Sequence, residues 1–152
     1  MATVERHIAA LPTEVFAVLA DGWLYSGWVV GTSHMRAVEA EWPARGSRLF
    51  HASGVWPAVI SDITVVEDVE PDERLVLAAE GGPLGGARID LRLEPDGDGT
   101  KAHMTEHPVR GPGKWAHNPL FDAAIARRNT EALQRLAYLA EKPTSPPSGQ
   151  RS

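Results

Sequence analysis

The sequence predicts an α+β domain in which a curved antiparallel sheet of about seven strands wraps on one long C-terminal helix, with two short helices after the first strand. Three observations predict it. From residue 35 the apolar residues recur with a period of two, and Pro, Gly and Asp break the run at short intervals. Residues 119–141 follow the helical period instead, with Phe121, Ile125, Ala132, Leu136 and Leu139 along one stripe. The chain has 152 residues, one domain by length, and a domain near that size buries about 68–70% of its unfolded surface without a disulfide staple. We therefore place a single domain at 1–142 and a Pro/Ser-rich tail, expected to be disordered, at 143–152.

Each element has its own warrant. Residues 2–8 alternate, with Ala2, Val4, Arg6 and Ile8 on one side, and read as a strand. Pro12-Thr13-Glu14 opens a helix, because proline suits a first turn and an acidic residue suits the positive end. Val15, Phe16, Val18 and Leu19 give that helix its buried stripe. Asp21 caps a second short helix carrying Trp23, Leu24, Tyr25 and Trp28, and Gly27 and Gly31 loosen its end. The candidate strands that follow are Met35–Glu41, Arg48–Ser53, Ala58–Val69, Glu73–Glu80, Gly86–Glu94 and Thr100–His107. Turn residues connect them: Pro43 to Gly46, Pro71-Asp72, Gly81-Gly82-Pro83, and Pro95-Asp96-Gly97-Asp98-Gly99, the clearest hairpin of the chain. Ile89, Leu91 and Leu93 alternate with Asp90, Arg92 and Glu94, so one face of that strand is dry and the other wet. Pro108 ends the strands, Gly111-Pro112-Gly113 forms a loop, and Asn118-Pro119 caps and opens the final helix.

Composition narrows the function. A hydrophobic content of 43% with 23% charged residues is ordinary for a soluble domain. A net charge of −5 argues against nucleic acid as the main partner. The chain has no Cys, which excludes disulfides, thiolate metal sites and cysteine nucleophiles and fits a cytoplasmic location. No apolar run approaches the ~18 residues of a membrane span, and Met1 to Arg6 does not have the pattern of a signal peptide. A monomer or a homodimer is expected, since a free edge strand could pair with a second copy.

Few residues suggest chemistry. The six histidines are His7, His34, His51, His103, His107 and His117. A metal needs ligands converging on one point, yet His103 and His107, four apart on one strand, are separated by about 13 Å. No metal site is expected. Glu106 shares a face with Ala102 and Met104. An inward carboxyl over an apolar cavity could act as general acid or base, or it could lie at the rim and pair with Arg88 or Arg110. Asp62, in the apolar run Val59 to Val66, falls on a wet face or at a bulge. His51 shares a face with Leu49 and Ser53 and is either a hydrogen-bonded core residue or a cavity group. Trp23, Tyr25, Trp28 and Trp56 could line a pocket mouth and stack on a flat ligand, or pack as core. Asn129 lies between Ile125 and Leu133 on the inner side of the long helix with Arg128 beside it, so it orients a ligand or ties helix to strands. No Gly-x-Ser-x-Gly elbow occurs, and the run Gly81 to Gly86 neither leads into a helix nor carries Lys-Ser/Thr, so it is a turn.

The phrases "VERHIAALPTEVFAVLAD", "VEPDERLVL", "RIDLRLEPDGDGTKAHMTE" and "NPLFDAAIARRNTEALQRLAYLAE", in that order over residues 2–141, resemble the START-like helix-grip superfamily, also called SRPBCC. Polyketide cyclase/dehydrase-like and birch-pollen-allergen-like proteins belong to it. The resemblance implies a deep apolar cavity between sheet and C-terminal helix, small hydrophobic ligands and no cofactor. The expected function is binding of a small, mostly hydrophobic molecule, with Trp23, Tyr25, Trp28, Trp56, Met104, Phe121, Ile125 and Asn129 lining the site. Two alternatives stand beside it. One is a cofactor-independent cyclase, aromatase or dehydratase using Glu106 or His51 as acid or base. The other is a non-catalytic, chaperone-type interaction module with an exposed apolar patch.

Overall fold

A computed structural model describes residues 2–30, 32–53, 60–80, 86–108 and 119–141. The strands are β1 (Ala2–Ile8), β2 (Thr32–Val38), β3 (Arg48–Ser53), β4 (Ile60–Glu70), β5 (Arg74–Glu80), β6 (Ala87–Asp96) and β7 (Gly99–Pro108). The helices are α1 (Pro12–Ala20), α2 (Tyr25–Trp28) and α3 (Pro119–Glu141), with a 3₁₀ turn Gly22–Leu24 between the first two. All seven strands form one antiparallel sheet in the order β1-β7-β6-β5-β4-β3-β2. The predicted architecture is the observed one. Strand β2 spans Thr32–Val38 rather than Met35–Glu41, and the other strand ends that can be compared move by at most two residues, while the expected β4 start at Ala58 lies outside the described residues. The first difference has a cause, because β2 pairs with β3 through two register shifts that blur its alternation. The expected tail, 143–152, lies outside the described residues, as do most of the expected loops at 81–86 and 111–113.

Local chemistry sets the joints. Pro12 stands at the start of α1, and the Glu14 carboxylate accepts the Leu11 backbone N–H at 2.9 Å. The Asp21 carboxylate accepts the Trp23 N–H at 3.1 Å and so caps the next turn. The β6–β7 hairpin closes through Gly97 and Asp98, with Gly97 at φ 62°, which glycine adopts without steric cost. The indole N–H of Trp42 donates to the Leu19 carbonyl at 3.1 Å and fastens the turn after β2 to α1. At the far end of α3, Glu141 accepts the Ala9 N–H at 2.7 Å, so the helix is tied to the end of β1.

One face of the sheet is dry. Leu49, Val66, Leu75, Leu77, Ile89, Leu91, Leu93, Ala102 and Met104 are buried against Ala132, Leu133, Leu136 and Ala137 of α3. The other face carries paired charges. Arg74 bonds Asp90 at 2.8 Å, Arg88 bonds Glu67 at 3.0 Å, and His103 stands between Glu5 and Glu94 at 2.8 and 2.9 Å. Such solvent-facing pairs contribute little individually, about 0–1 kcal/mol, but they keep the outer face wet and fix which face is inside. Among the described residues no helix is long and apolar enough to cross a membrane.

Gly22 shows how closely the 3₁₀ turn approaches the sheet. A Cβ there would sit 2.6 Å from Val38 Cγ1 and 2.7 Å from Leu49 Cδ2. Gly22→Ala is therefore expected to destabilise the fold by about 1–3 kcal/mol, read as a lower urea midpoint at unchanged slope.

Candidate functional site

The inward face of the grip changes character along its length. At the end where β3 leaves the sheet and β4 enters it, and where β7 ends, the inward residues are His51, Asp62, Thr64 and Glu106. Toward the opposite end they are Ile8, Leu75, Leu93 and Ala102. α3 follows the same division, with Asn129 at the polar level and Leu136 and Ala137 at the apolar one. The inner face covered by the helix is thus polar at one end and apolar at the other.

One polar group ties helix to strand. Glu106, only 5% exposed, accepts two hydrogen bonds from one Arg128 nitrogen, at 2.6 and 2.5 Å. The Asn129 amide, 3% exposed, donates to the same carboxylate at 3.1 Å. Neighbouring positions on α3 therefore hold both oxygens of one strand residue. Glu106 lies inward and has an arginine partner, but that partner is Arg128. Arg88 instead bonds Glu67 on the outer face, and Arg110 lies outside the described residues.

A second group joins α2 to β3 and β4. The Tyr25 hydroxyl lies 3.0 Å from Thr64 Oγ1, and His51 Nε2 lies 2.9 Å from that same oxygen. Tyr25 packs its ring on His51 at 5.0 Å and edge-on against Trp28 at 5.4 Å. Asp62 is the cross-strand partner of His51, and the β4 bulge lies farther on, between Val66 and Asp68. Asp62 thus belongs to the inner face, not to a wet face or a bulge. His51 Nδ1 and Asp62 Oδ1 are buried and have no hydrogen-bond partner among the described residues.

Burial sets the protonation of both rings. It lowers the His51 pKa below its ordinary 6.5, although the Asp62 charge opposes the shift. It pushes the Tyr25 phenol up to about 12, against the effect of its hydrogen bond with Thr64, with the Asp62 and Glu106 charges adding to the rise. The charges of Asp62, Glu106 and Arg128 all act on Tyr25 through space.

The signs of the pH effects follow. The folded His51 binds its proton more weakly than the unfolded one, so its contribution to stability is complete above 6.5 and falls as pH drops from there toward the lower folded value. Tyr25 contributes fully below 10.0, and that contribution is lost as pH rises from 10.0 toward about 12. A tyrosinate absorbance titration is expected to show a step near pH 12 that disappears in Tyr25→Phe.

The remaining expected site residues divide. Trp28, Tyr25, Met104 and Ile125 are buried, at 1%, 2%, 2% and 6% exposure. Trp23 is 58% exposed and lines an outer cleft of about 510 Å³ with Ala20, Gly22, Val38 and Trp42. That cleft lies away from the Glu106 and His51 groups, so Trp23 does not stack beside Tyr25 and Trp28. Trp56 and the Phe121 side chain lie outside the described residues. Thr64, which joins Tyr25 to His51, escaped the sequence reading, because a threonine in a β-branched strand carries no distinguishing signal. Among the described residues no cluster of His, Asp and Glu could hold a metal ion.

The family described as polyketide cyclase/dehydrase and lipid transport matches residues 1–141. The chain belongs to this family. None of the curated proteins matches it. Solved structures share the fold at low identity. A Rhodobacter sphaeroides protein is 24% identical, with a TM-score of 0.67 over 90% of this chain and 89% of its own. The protein Ara h 8.0201 is 13% identical, with a TM-score of 0.69 over 92% and 97%. StfQ, a di-domain aromatase/cyclase of the steffimycin biosynthetic pathway, is 11% identical, with a TM-score of 0.68 over 91% of this chain and 49% of its own.

Proposed function

We propose that the protein binds a small, mostly hydrophobic molecule between the sheet and α3. The apolar body of the ligand lies toward Met104, Ile125 and Leu133, and its polar group lies toward His51 and Asp62. One observation carries this reading: two buried polar atoms, His51 Nδ1 and Asp62 Oδ1, face the interior without a hydrogen bond among the described residues. An unmatched buried polar atom costs about 1–3 kcal/mol, and a ligand group that satisfies both recovers it. Family membership supports the same reading. Native mass spectrometry of the purified chain should find a small-molecule adduct that is lost on denaturation. Bare chain alone, together with no binding of the apolar dye 1-anilinonaphthalene-8-sulfonate, would overturn it.

A cyclase- or dehydratase-type activity is the second reading, and the structure favours His51 over Glu106 as its acid–base group. Both Glu106 oxygens already accept bonds from α3. His51 keeps one ring nitrogen unbonded, and burial favours its neutral form, which can hydrogen-bond a reacting oxygen there. His51→Gln would then abolish turnover of a reactive polyketide-like substrate with little change in its affinity.

A further inference from the structure

The hydrogen bonds around Thr64 have only one arrangement that pairs both hydroxyl hydrogens. Tyr25 is 2% exposed, and the partner of its hydroxyl among the described residues is Thr64 Oγ1. A buried O–H without an acceptor costs about 1–3 kcal/mol, so the phenol donates to Thr64. A phenol whose pKa stands near 12 keeps that proton. Thr64, fully buried, has one hydrogen of its own and, among the described residues, one other side-chain neighbour at bonding distance, His51 Nε2 at 2.9 Å. If Nε2 carried a hydrogen, the Thr64 oxygen would accept twice and its own O–H would be stranded. If Nε2 is bare, Thr64 donates to it and both hydroxyls and Nε2 are satisfied. A neutral imidazole with a bare Nε2 carries its hydrogen on Nδ1, the ring atom left without a partner.

We propose that Tyr25 and Thr64 are positioning residues that hold His51 as its Nδ1–H tautomer, so that the site offers its ligand an N–H donor and selects molecules that place an acceptor oxygen against it. The ligand half of this proposal rests on the binding function above; the tautomer half does not. Asp62 faces His51 from the neighbouring strand, and its unbonded oxygen can accept from the same ligand group. A hydroxyl satisfies both at once, accepting from His51 and donating to Asp62. A carbonyl satisfies His51 alone.

The test is nitrogen NMR on histidine-labelled, ligand-free full-length chain near neutral pH. His51 should show a protonated Nδ1 and an unprotonated Nε2. Thr64→Ser should keep that pattern, whereas Thr64→Val and Tyr25→Phe should shift it toward Nε2–H. A protonated Nε2 in the natural chain, or a pattern indifferent to both Thr64→Val and Tyr25→Phe, overturns the proposal. If Thr64→Val does not fold, the natural chain and Tyr25→Phe decide. For the ligand half, 2-acetonaphthone should bind roughly three- to tenfold tighter than its oxygen-free counterpart 2-isopropenylnaphthalene, the worth of one neutral hydrogen bond. It should also shift the Nδ1 signal. Equal affinities overturn the acceptor preference. Binding of neither probe counts against the binding function and leaves the tautomer result standing.

Discussion

Trp28→Ala is expected to cost about 3–5 kcal/mol, the range for removing a large aromatic from a close-packed interior. Trp28 is 1% exposed and lies edge-on to Tyr25 at 5.4 Å, so the substitution removes dispersion contacts and leaves a void beside the phenol that the Tyr25–Thr64–His51 chain depends on. α2 spans only Tyr25–Trp28 and cannot close over the void without moving Tyr25. The measurement is urea denaturation followed by circular dichroism, with a large fall in midpoint at unchanged slope. Trp28→Phe should lose well under half as much, because it keeps an aromatic ring in the same space. Trp23→Ala is the internal comparison. Trp23 stands in the 3₁₀ turn two residues before Tyr25 and is 58% exposed, so its removal should stay within about 0.5 kcal/mol. A similar loss for Trp23→Ala and Trp28→Ala would contradict the burial difference.

That contrast marks where the sequence was legible and where it was not. Alternation gave β6 and β7 their faces correctly: Ile89, Leu91 and Leu93 lie inward with Ala102, Met104 and Glu106. The turn at Gly97 and Asp98 and the start of α3 at Pro119 were equally legible, because each rests on local backbone chemistry. β2 was less so, since its register shifts break the period on which the reading depends. Trp23, Tyr25 and Trp28 are alike in composition, and only the path of the 3₁₀ turn separates an exposed indole from two buried rings. Partner identities were the hardest to read. That Glu106 meets Arg128 and Asn129 depends on the rotation of α3 over β7, which brings together residues more than twenty apart in sequence. Thr64 became visible only when the strand pair set it 2.9 Å from a histidine.

The tie between β7 and α3 provides the second large effect. Arg128→Met removes the charged partner of Glu106 and leaves a carboxyl that is 5% exposed with only the Asn129 amide. Breaking a fully buried ion pair costs about 3–5 kcal/mol. The Arg128 side chain is 44% exposed, so solvent already screens part of the interaction, and the expected loss is about 2–3 kcal/mol. Most of that loss is the penalty of an uncompensated buried carboxyl rather than the net worth of the pair. It follows that removing the charge as well should restore stability. The double variant Arg128→Met/Glu106→Gln is expected to recover more than half of the loss, because a glutamine can still accept from Asn129 while needing no counter-charge. The coupling between the two positions, read from a double-mutant cycle of urea midpoints, should then exceed about 1 kcal/mol. Additive losses would mean that Arg128 contributes only the packing of its stem over α3, and that Asn129 alone fastens the helix to the strand.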